Sequence, residues 1–140
     1  MHRNWVSSVA FHSEYPIVAT GSHDCWVRVW SVEDGGGAAC IAILRHSDWV
    51  GAIAFHPALP LLAAGCYDMT VTLWWIHWGG HCELEGNRMT CTAARHPDIA
   101  STSRVAVLKG HSSSVSSVAF HPKLPVLATI GQGHAAMLWR

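Results

Sequence analysis

Charged residues are scarce in this chain of 140 residues, since Asp, Glu, Lys and Arg together make up 13% of it. Nine cationic and nine anionic side chains cancel, so the chain lacks the basic excess that binding to a phosphate backbone requires, and nucleic acid is an unfavourable partner. Long hydrophobic runs are missing too: no stretch approaches the roughly 18 apolar residues that span a bilayer. The N-terminal residues also lack the apolar segment of a signal peptide.

The cysteines show no regular spacing, and their odd number argues against a disulfide framework. We therefore expect a reduced, globular protein of the cytoplasm or nucleus, without a cofactor. Tryptophan is abundant, with eight residues, and half of the sequence is hydrophobic, so much of the surface is expected to be apolar or to serve for contact. The five cysteines are Cys25, Cys40, Cys66, Cys82 and Cys91.

Three segments of the chain, 2–30, 46–74 and 111–139, align with one another without a gap over 29 residues. The first and second share 12 identical residues, the second and third 13, and the first and third 12. Unrelated segments of average composition would share roughly two. The repeat is therefore real, and its uneven spacing places an insertion, 75–103, between the second and third copies.

Each repeat predicts β structure, because short apolar or alternating runs are separated by turn residues and no helical period occurs. We expect an all-β fold of antiparallel four-stranded sheets. The first repeat predicts strands at 6–11, 17–20, 26–30 and 40–44. The second predicts 50–55, 61–64, 70–75 and, after the insertion, 104–108. The third ends with its third strand, over Ala136–Trp139.

The motifs at the ends of the repeats resemble those of the WD-repeat family. The third repeat begins with Lys109-Gly110-His111 and ends with Leu138-Trp139, and the second contains the turn Gly65-Cys-Tyr-Asp68 followed by Val71-Thr-Leu-Trp74. The resemblance implies that the repeats are blades of a β-propeller and that 1–140 is a single propeller segment. Propellers typically have four to eight blades, and this chain encodes about three.

An incomplete ring has two explanations. The chain is a fragment of a longer protein, or it completes a ring by association with further blades or with itself. We favour the fragment, because the open ends of a repeat array expose apolar faces that capping repeats normally cover.

The resemblance also implies a structural tetrad in each blade: a His before the first strand, a hydroxyl on the second, an Asp in the next turn and a Trp on the third strand. Ala64 replaces the hydroxyl in the second repeat, and Gly133 replaces the Asp in the third, which is expected to loosen that blade. The tetrad residues present are His2, Thr20, Asp24 and Trp30; His46, Asp68 and Trp74; and His111, Thr129 and Trp139.

A set of His, hydroxyl and Asp also invites a catalytic interpretation, which requires an accessible nucleophile. Because the set recurs in register with the strands and includes Trp, we interpret it as a structural network and expect no enzyme activity. His12, His56 and His121 follow Phe at the same place in every repeat. We expect them to be solvent-exposed turn residues and not a ring of metal ligands.

The insertion offers an alternative function, metal binding, because it contains His77, His81, Cys82, Cys91 and His96. Zinc favours Cys and His in four-coordinate sites, commonly with ligands paired two to four residues apart. Here no Cys-x2-Cys pair occurs, and Gly79-Gly80 disfavours the helix on which the spacing of His77 and His81 would work. We therefore predict a loop without bound metal.

Partner binding is the remaining function. The resemblance places the contact residues at the end of each blade where the chain enters the first strand. We expect a non-enzymatic scaffold that binds a protein or peptide there, chiefly through the large aromatics, since Trp and Tyr are the commonest residues at interface hot spots. The implied contact residues are Trp5, Ser7 and His23; Trp49, Gly51 and Tyr67; and Ser114, Ser116 and Gln132.

Overall fold

The computed structural model of the protein describes residues 1–32, 35–77, 82–85, 88–91 and 101–140. Within these ranges it contains thirteen β-strands and no helix, so the predicted all-β class is confirmed. No helix in the described part of the chain is therefore long and apolar enough to cross a membrane.

The first sheet, blade one, is a four-stranded antiparallel meander. Residues on the second and third strands alternate between full burial and partial exposure, as the period of a half-buried strand requires. Its strands are β1 (Val6–Phe11), β2 (Ile17–Ser22), β3 (Trp26–Val32) and β4 (Ala38–Arg45).

The second sheet, blade two, has the same order, although its fourth strand comes after the insertion. The insertion itself contains a two-stranded antiparallel hairpin. The strands of blade two are β5 (Val50–Phe55), β6 (Leu61–Cys66) and β7 (Val71–His77), the hairpin strands are β8 (Cys82–Glu85) and β9 (Arg88–Cys91), and blade two is completed by β10 (Ser101–Leu108).

The predicted loop over 75–103 is wrong in extent. Strand β7 continues to His77 and β10 begins at Ser101, with Ser101 opposite His77 in the ladder. Both strands are longer than predicted at the insertion, because the backbone pairing between β7 and β10 continues past the end of the repeat. No sequence motif marks this continuation. The hairpin β8–β9 was not predicted, because each of its strands has only four residues, the shortest length over which alternation identifies a strand.

The third sheet, blade three, has three strands in the described part of the chain: β11 (Val115–Phe120), β12 (Leu127–Gly131) and β13 (Ala136–Trp139). Among the residues that the structure describes, β13 pairs with β12 and with no other strand. Three antiparallel sheets of three or four strands match the predicted blades of a partial propeller. The turn after the second strand of every blade contains a non-glycine residue with φ near 70°, at Cys25, Met69 and His134.

The blades pack face to face through two apolar cores. Between blades one and two, Val27 and Val29 are fully buried in the same cluster as Val50 and Ile53. Between blades two and three, the buried cluster contains Ala52, Ala63, Val71, Val115, Val118 and Leu127. The first strand of one blade thus packs mainly on the first and second strands of the blade before it.

The His residues in the turns after the first strands stabilise those turns. His12 Nδ1 accepts the backbone N–H groups of Glu14 and Tyr15, and His56 and His121 accept in the same way in their own turns. The expectation that all three are solvent-exposed is wrong for His12, which is buried. Its ring packs 5.3 Å from that of Phe55, and its Nε2 lies 2.8 Å from the Leu59 carbonyl oxygen of blade two.

Candidate functional site

Blade one brings its four tetrad residues into one hydrogen-bonded network. His2 donates through Nδ1 to Asp24 Oδ2 at 2.9 Å, and its Nε2 lies 2.7 Å from Thr20 Oγ1. Trp30 Nε1 donates to the same Thr20 oxygen at 3.0 Å. A single hydroxyl therefore joins the N-terminal segment, β2 and β3.

The Asp24 carboxylate fixes the segment that leads into β1. It accepts the backbone N–H groups of Arg3 and Trp26 as well as the His2 ring. Burial by itself would raise the pKa of Asp24, but these hydrogen bonds outweigh it and hold the pKa below its usual value. The carboxylate stays charged, and the chain before Trp5 is held in one position.

In blade two, Ala64 leaves the network without its central hydroxyl. His46 Nε2 and Trp74 Nε1 are buried and have no hydrogen-bond partner. His46 Nδ1 lies 3.2 Å from Cys66 Sγ, while Asp68 accepts from Ser47 and Thr70 and makes no hydrogen bond to His46. The tetrad residues of this blade are close together but are not linked.

In blade three, Thr129 joins its neighbours as Thr20 does. His111 Nε2 lies 2.7 Å from Thr129 Oγ1, and Trp139 Nε1 donates to that oxygen at 2.9 Å. Gly133 stands in the place of the Asp, and His111 Nδ1 is buried without a partner. A buried unpartnered nitrogen carries a desolvation cost of about 1–3 kcal/mol.

Neither threonine hydroxyl is placed to act as a nucleophile. Each hydroxyl is shared between a His ring and a Trp N–H, and Thr129 is fully buried. A catalytic hydroxyl must instead reach a substrate carbonyl while its base removes the proton. The geometry of these networks fits a structural role.

The predicted contact residues lie in pairs at the entrance to the first strand of each blade. The backbone N–H of His23 donates to the Trp5 carbonyl, that of Tyr67 to the Trp49 carbonyl, and that of Gln132 to the Ser114 carbonyl, at 2.9–3.0 Å. The same backbone bond thus joins both members of the pair in all three blades.

Four of these residues, Trp5, His23, Trp49 and Tyr67, form a continuous cluster of rings, which we call the top face. His23 of blade one stacks on Trp49 of blade two with ring centroids 4.5 Å apart and planes 6° apart. Trp5 and Tyr67 flank His23 at 6.1 and 5.7 Å, and Tyr67 also lies 5.4 Å from Trp49. Trp5 is 78% exposed and Trp49 43%.

The other predicted contact residues are less prominent. Ser7 Oγ lies within hydrogen-bond distance of the Gly21 and Val50 carbonyl oxygens, and exposed Ser116 donates to the Ile130 carbonyl. Gly51 is covered, because a Cβ there would lie 2.7 Å from the Val115 carbonyl oxygen and 3.1 Å from the Tyr67 ring. Blade three has no ring at this face.

The residues of the metal-binding alternative are only partly within the described ranges. His77 is at the end of β7, and its Nε2 lies 2.9 Å from Ser103 Oγ. His81 and His96 lie outside the described residues. Cys82 and Cys91 are cross-strand partners in the hairpin. No group of three or more metal-ligating side chains occurs among the residues whose side chains the structure describes.

A polar cavity of about 440 Å³ beside the incomplete network of blade two was not anticipated from the sequence. Three cations line it, Arg45, Arg104 and Lys109, together with His46 and Asp68. Arg45 directly precedes the second repeat and Lys109 lies two residues before the third, and that proximity was the available signal. Arg104 becomes their neighbour only through the pairing of β10 with β7.

Comparison with known protein families gives one result. A family model described as "WD domain, G-beta repeat" matches residues 1–31, 38–74 and 102–140, which is most of the chain. No curated protein matches the sequence. Repeats of this family generally form scaffolds for protein interaction.

We predict that Ala64→Thr stabilises the protein. The new hydroxyl would stand where Thr20 and Thr129 stand, and would give His46 Nε2 and Trp74 Nε1 a common partner. We expect a gain of about 1 kcal/mol or more in the free energy of unfolding, measured by urea denaturation. Ala64→Val, with the same shape and no hydroxyl, is the control. An equal gain in both variants would assign the effect to packing.

We predict that acid destabilises the fold well before its carboxylates titrate. Burial lowers the pKa of His46 to about 4 and also lowers that of His12. Between pH 6.5 and about 4 the unfolded chain binds a proton on His46 and the folded chain does not, so stability falls as the pH falls, by about 1 kcal/mol per pH unit. The lowered pKa of His12 acts in the same direction. His46→Gln should flatten this dependence in urea titrations. An unchanged slope in the variant would contradict the assignment.

Proposed function

Because this chain belongs to the WD-repeat family, we propose that it is a non-enzymatic scaffold that binds a protein or peptide through the top face. The observation that carries the proposal is the ring cluster of Trp5, His23, Trp49 and Tyr67, which spans two blades and is partly exposed. Each ring stands on a segment held by a backbone hydrogen bond. The face is thus preorganised, which reduces the entropy lost on binding.

The chemistry of the top face favours a protein over other partners. Aromatic rings with an exposed edge and a polar group are the typical anchors of protein interfaces. Stacking on nucleic-acid bases also uses such rings, but it is accompanied by a positively charged groove that follows the backbone. Here the rings are accompanied by Ser7, Gly51 and Gln132, which are all uncharged.

Two further properties belong to this proposal. We propose that the protein acts in the cytoplasm or nucleus, since its free thiols at Cys25, Cys40 and Cys66 suit a reducing compartment. We also propose that the open faces of blades one and three are covered in the working protein, by further blades or by another copy of the chain. Apolar side chains such as Val9 and Leu138 are 61% and 72% exposed on those faces.

We predict that Trp49→Ala weakens binding by about 2 kcal/mol or more, which is a loss of roughly thirtyfold, without unfolding the protein. The ring is the link between His23 and Tyr67, and about half of it is accessible. Peptides selected from a random display library on the immobilised wild-type chain provide the probe, and their affinity for each variant is measured by calorimetry.

Leu124→Ala is the matched control for this experiment. Leu124 is 55% exposed in the turn between β11 and β12, at the opposite end of the strands from the top face. Affinity should not change in this variant. Unchanged binding by Trp49→Ala, or loss of its folded circular dichroism spectrum, would refute the assignment of Trp49 to a binding surface.

The second candidate function, a metal site in the insertion, is favoured by one observation, the cross-strand placement of Cys82 and Cys91 in the hairpin β8–β9. Zinc requires about four ligands, and two cysteines supply half of them. We predict well under one zinc per chain when the reduced protein is purified and analysed by atomic emission. Stoichiometric zinc that disappears in the double variant Cys82→Ser, Cys91→Ser would establish the metal site instead.

A further inference from the structure

Both packed blade interfaces depend on a glycine at the same place in the second strand. A Cβ built on Gly21 would lie 2.8 Å from Val50 Cγ1 of blade two, and one built on Gly65 would lie 2.6 Å from Val115 Cγ1 of blade three. Carbon atoms in contact are about 3.5–4.0 Å apart, so there is no room for a side chain at either position. We call the space beside each of these glycines the notch.

Blade three has Ile130 at this position. In the three blades the cross-strand pairs are Ser8 with Gly21, Ala52 with Gly65, and Ser117 with Ile130, so the register is the same. Ile130 is 49% exposed. Its side chain fills the place where Val50 or Val115 enters the notch of the other two blades.

The open face of blade one carries the complementary side chains. Val6, Val9 and Phe11 occupy the positions of Val50, Ile53 and Phe55 in blade two, which are at most 8% exposed. In blade one the same three positions are 54%, 61% and 73% exposed. Blade one therefore presents the surface that inserts into a notch, and the described residues leave it uncovered.

We infer that Ile130 prevents blade three from accepting a further blade of this kind, and that the open face of blade one accepts only a blade with glycine at the notch. The occupant of the blade-one face is thus a β-sheet blade with a glycine in its second strand. A second copy of this chain is excluded, because its two notches are already filled by its own Val50 and Val115 and its third is blocked by Ile130.

The side chain of Ile130 blocks the notch of blade three because it cannot move aside at a low cost in energy. A β-branched residue in a strand has few allowed χ1 rotamers, so the side chain stays in the path of the incoming valine. Overpacking a closely packed interface costs enough to reduce an association constant by about fivefold to a hundredfold. The inference rests on the proposal that the open face of blade one is covered, and it limits that cover to a further blade with glycine at the notch. For the open face of blade three it excludes a cover of this kind.

Mixing the full-length wild-type chain with a full-length double variant tests whether Ile130 blocks the notch. The wild-type chain has the inserting face of blade one and a blocked notch. In the double variant Ile130→Gly, Val9→Asp, the glycine opens the notch of blade three and the aspartate disrupts the inserting face of blade one. We expect the two to form a 1:1 complex when mixed, detected by light scattering after size exclusion, and we expect no complex when Val9→Asp replaces the wild type.

Ile130→Ala, Val9→Asp is the matched control. Because the first carbon of a side chain would already clash at Gly21 and Gly65, alanine should restore at most about a fifth of the affinity that glycine restores. Equal complex formation by the alanine and glycine variants would overturn the inference, as would the absence of a complex between wild type and the glycine variant when both are folded.

A second measurement needs no change at Ile130, and so remains decisive if the glycine variant does not fold. Any self-association of the wild-type chain should be the same in Val9→Asp, because no copy offers a free notch. Oligomers that Val9→Asp disperses would overturn the inference. Neither experiment involves Trp49 or the other residues of the top face, so failure here is distinguishable from failure of the proposed binding function.

Discussion

The packing of the first strand of one blade into the blade before it is the constraint on which the rest of this structure depends. A single sheet with one apolar face has no stable core, and these blades gain one only as neighbours. Val50 enters the notch at Gly21, and Val115 enters the notch at Gly65. These contacts set the angle between blades, and thereby bring residues of blades one and two together at the top face.

The tetrads act within blades and are separable from that packing. Blade one has the complete network, blade two lacks the hydroxyl and blade three lacks the carboxylate, yet all three blades keep the same strand register. The network is therefore not what defines the sheets. The network holds the segment before the first strand against the second and third strands. Where a network residue is missing, buried nitrogens of His46, Trp74 and His111 are left without a hydrogen-bond partner.

The proposed binding surface follows from both constraints. The hydrogen bonds of Asp24 fix the chain before Trp5, and blade packing brings His23 under Trp49. The contacts of His23 with Trp49 and Tyr67 would not exist in an isolated blade, since His23 belongs to a different sheet from its two partners. A partner that binds across them would bind the arrangement of blades and not a single repeat, which is how a chain with few charges can offer a specific surface.

The sequence by itself determined the repeats and the strand class, because these follow from local alternation and from residues that recur at fixed spacing. The tetrad residues were implied by the resemblance to the WD-repeat family. The sequence did not determine the extension of β7 and β10 into the insertion, the burial of His12, or the partner of His46. Pairing between distant segments decides those features. The first two repeats have Gly21 and Gly65 where the third has Ile130. Only the tertiary structure gives that difference a meaning, since the close contacts at the glycines lie between atoms of separate blades. Local chemistry fixed each blade, and contacts between blades decided which surfaces remain available.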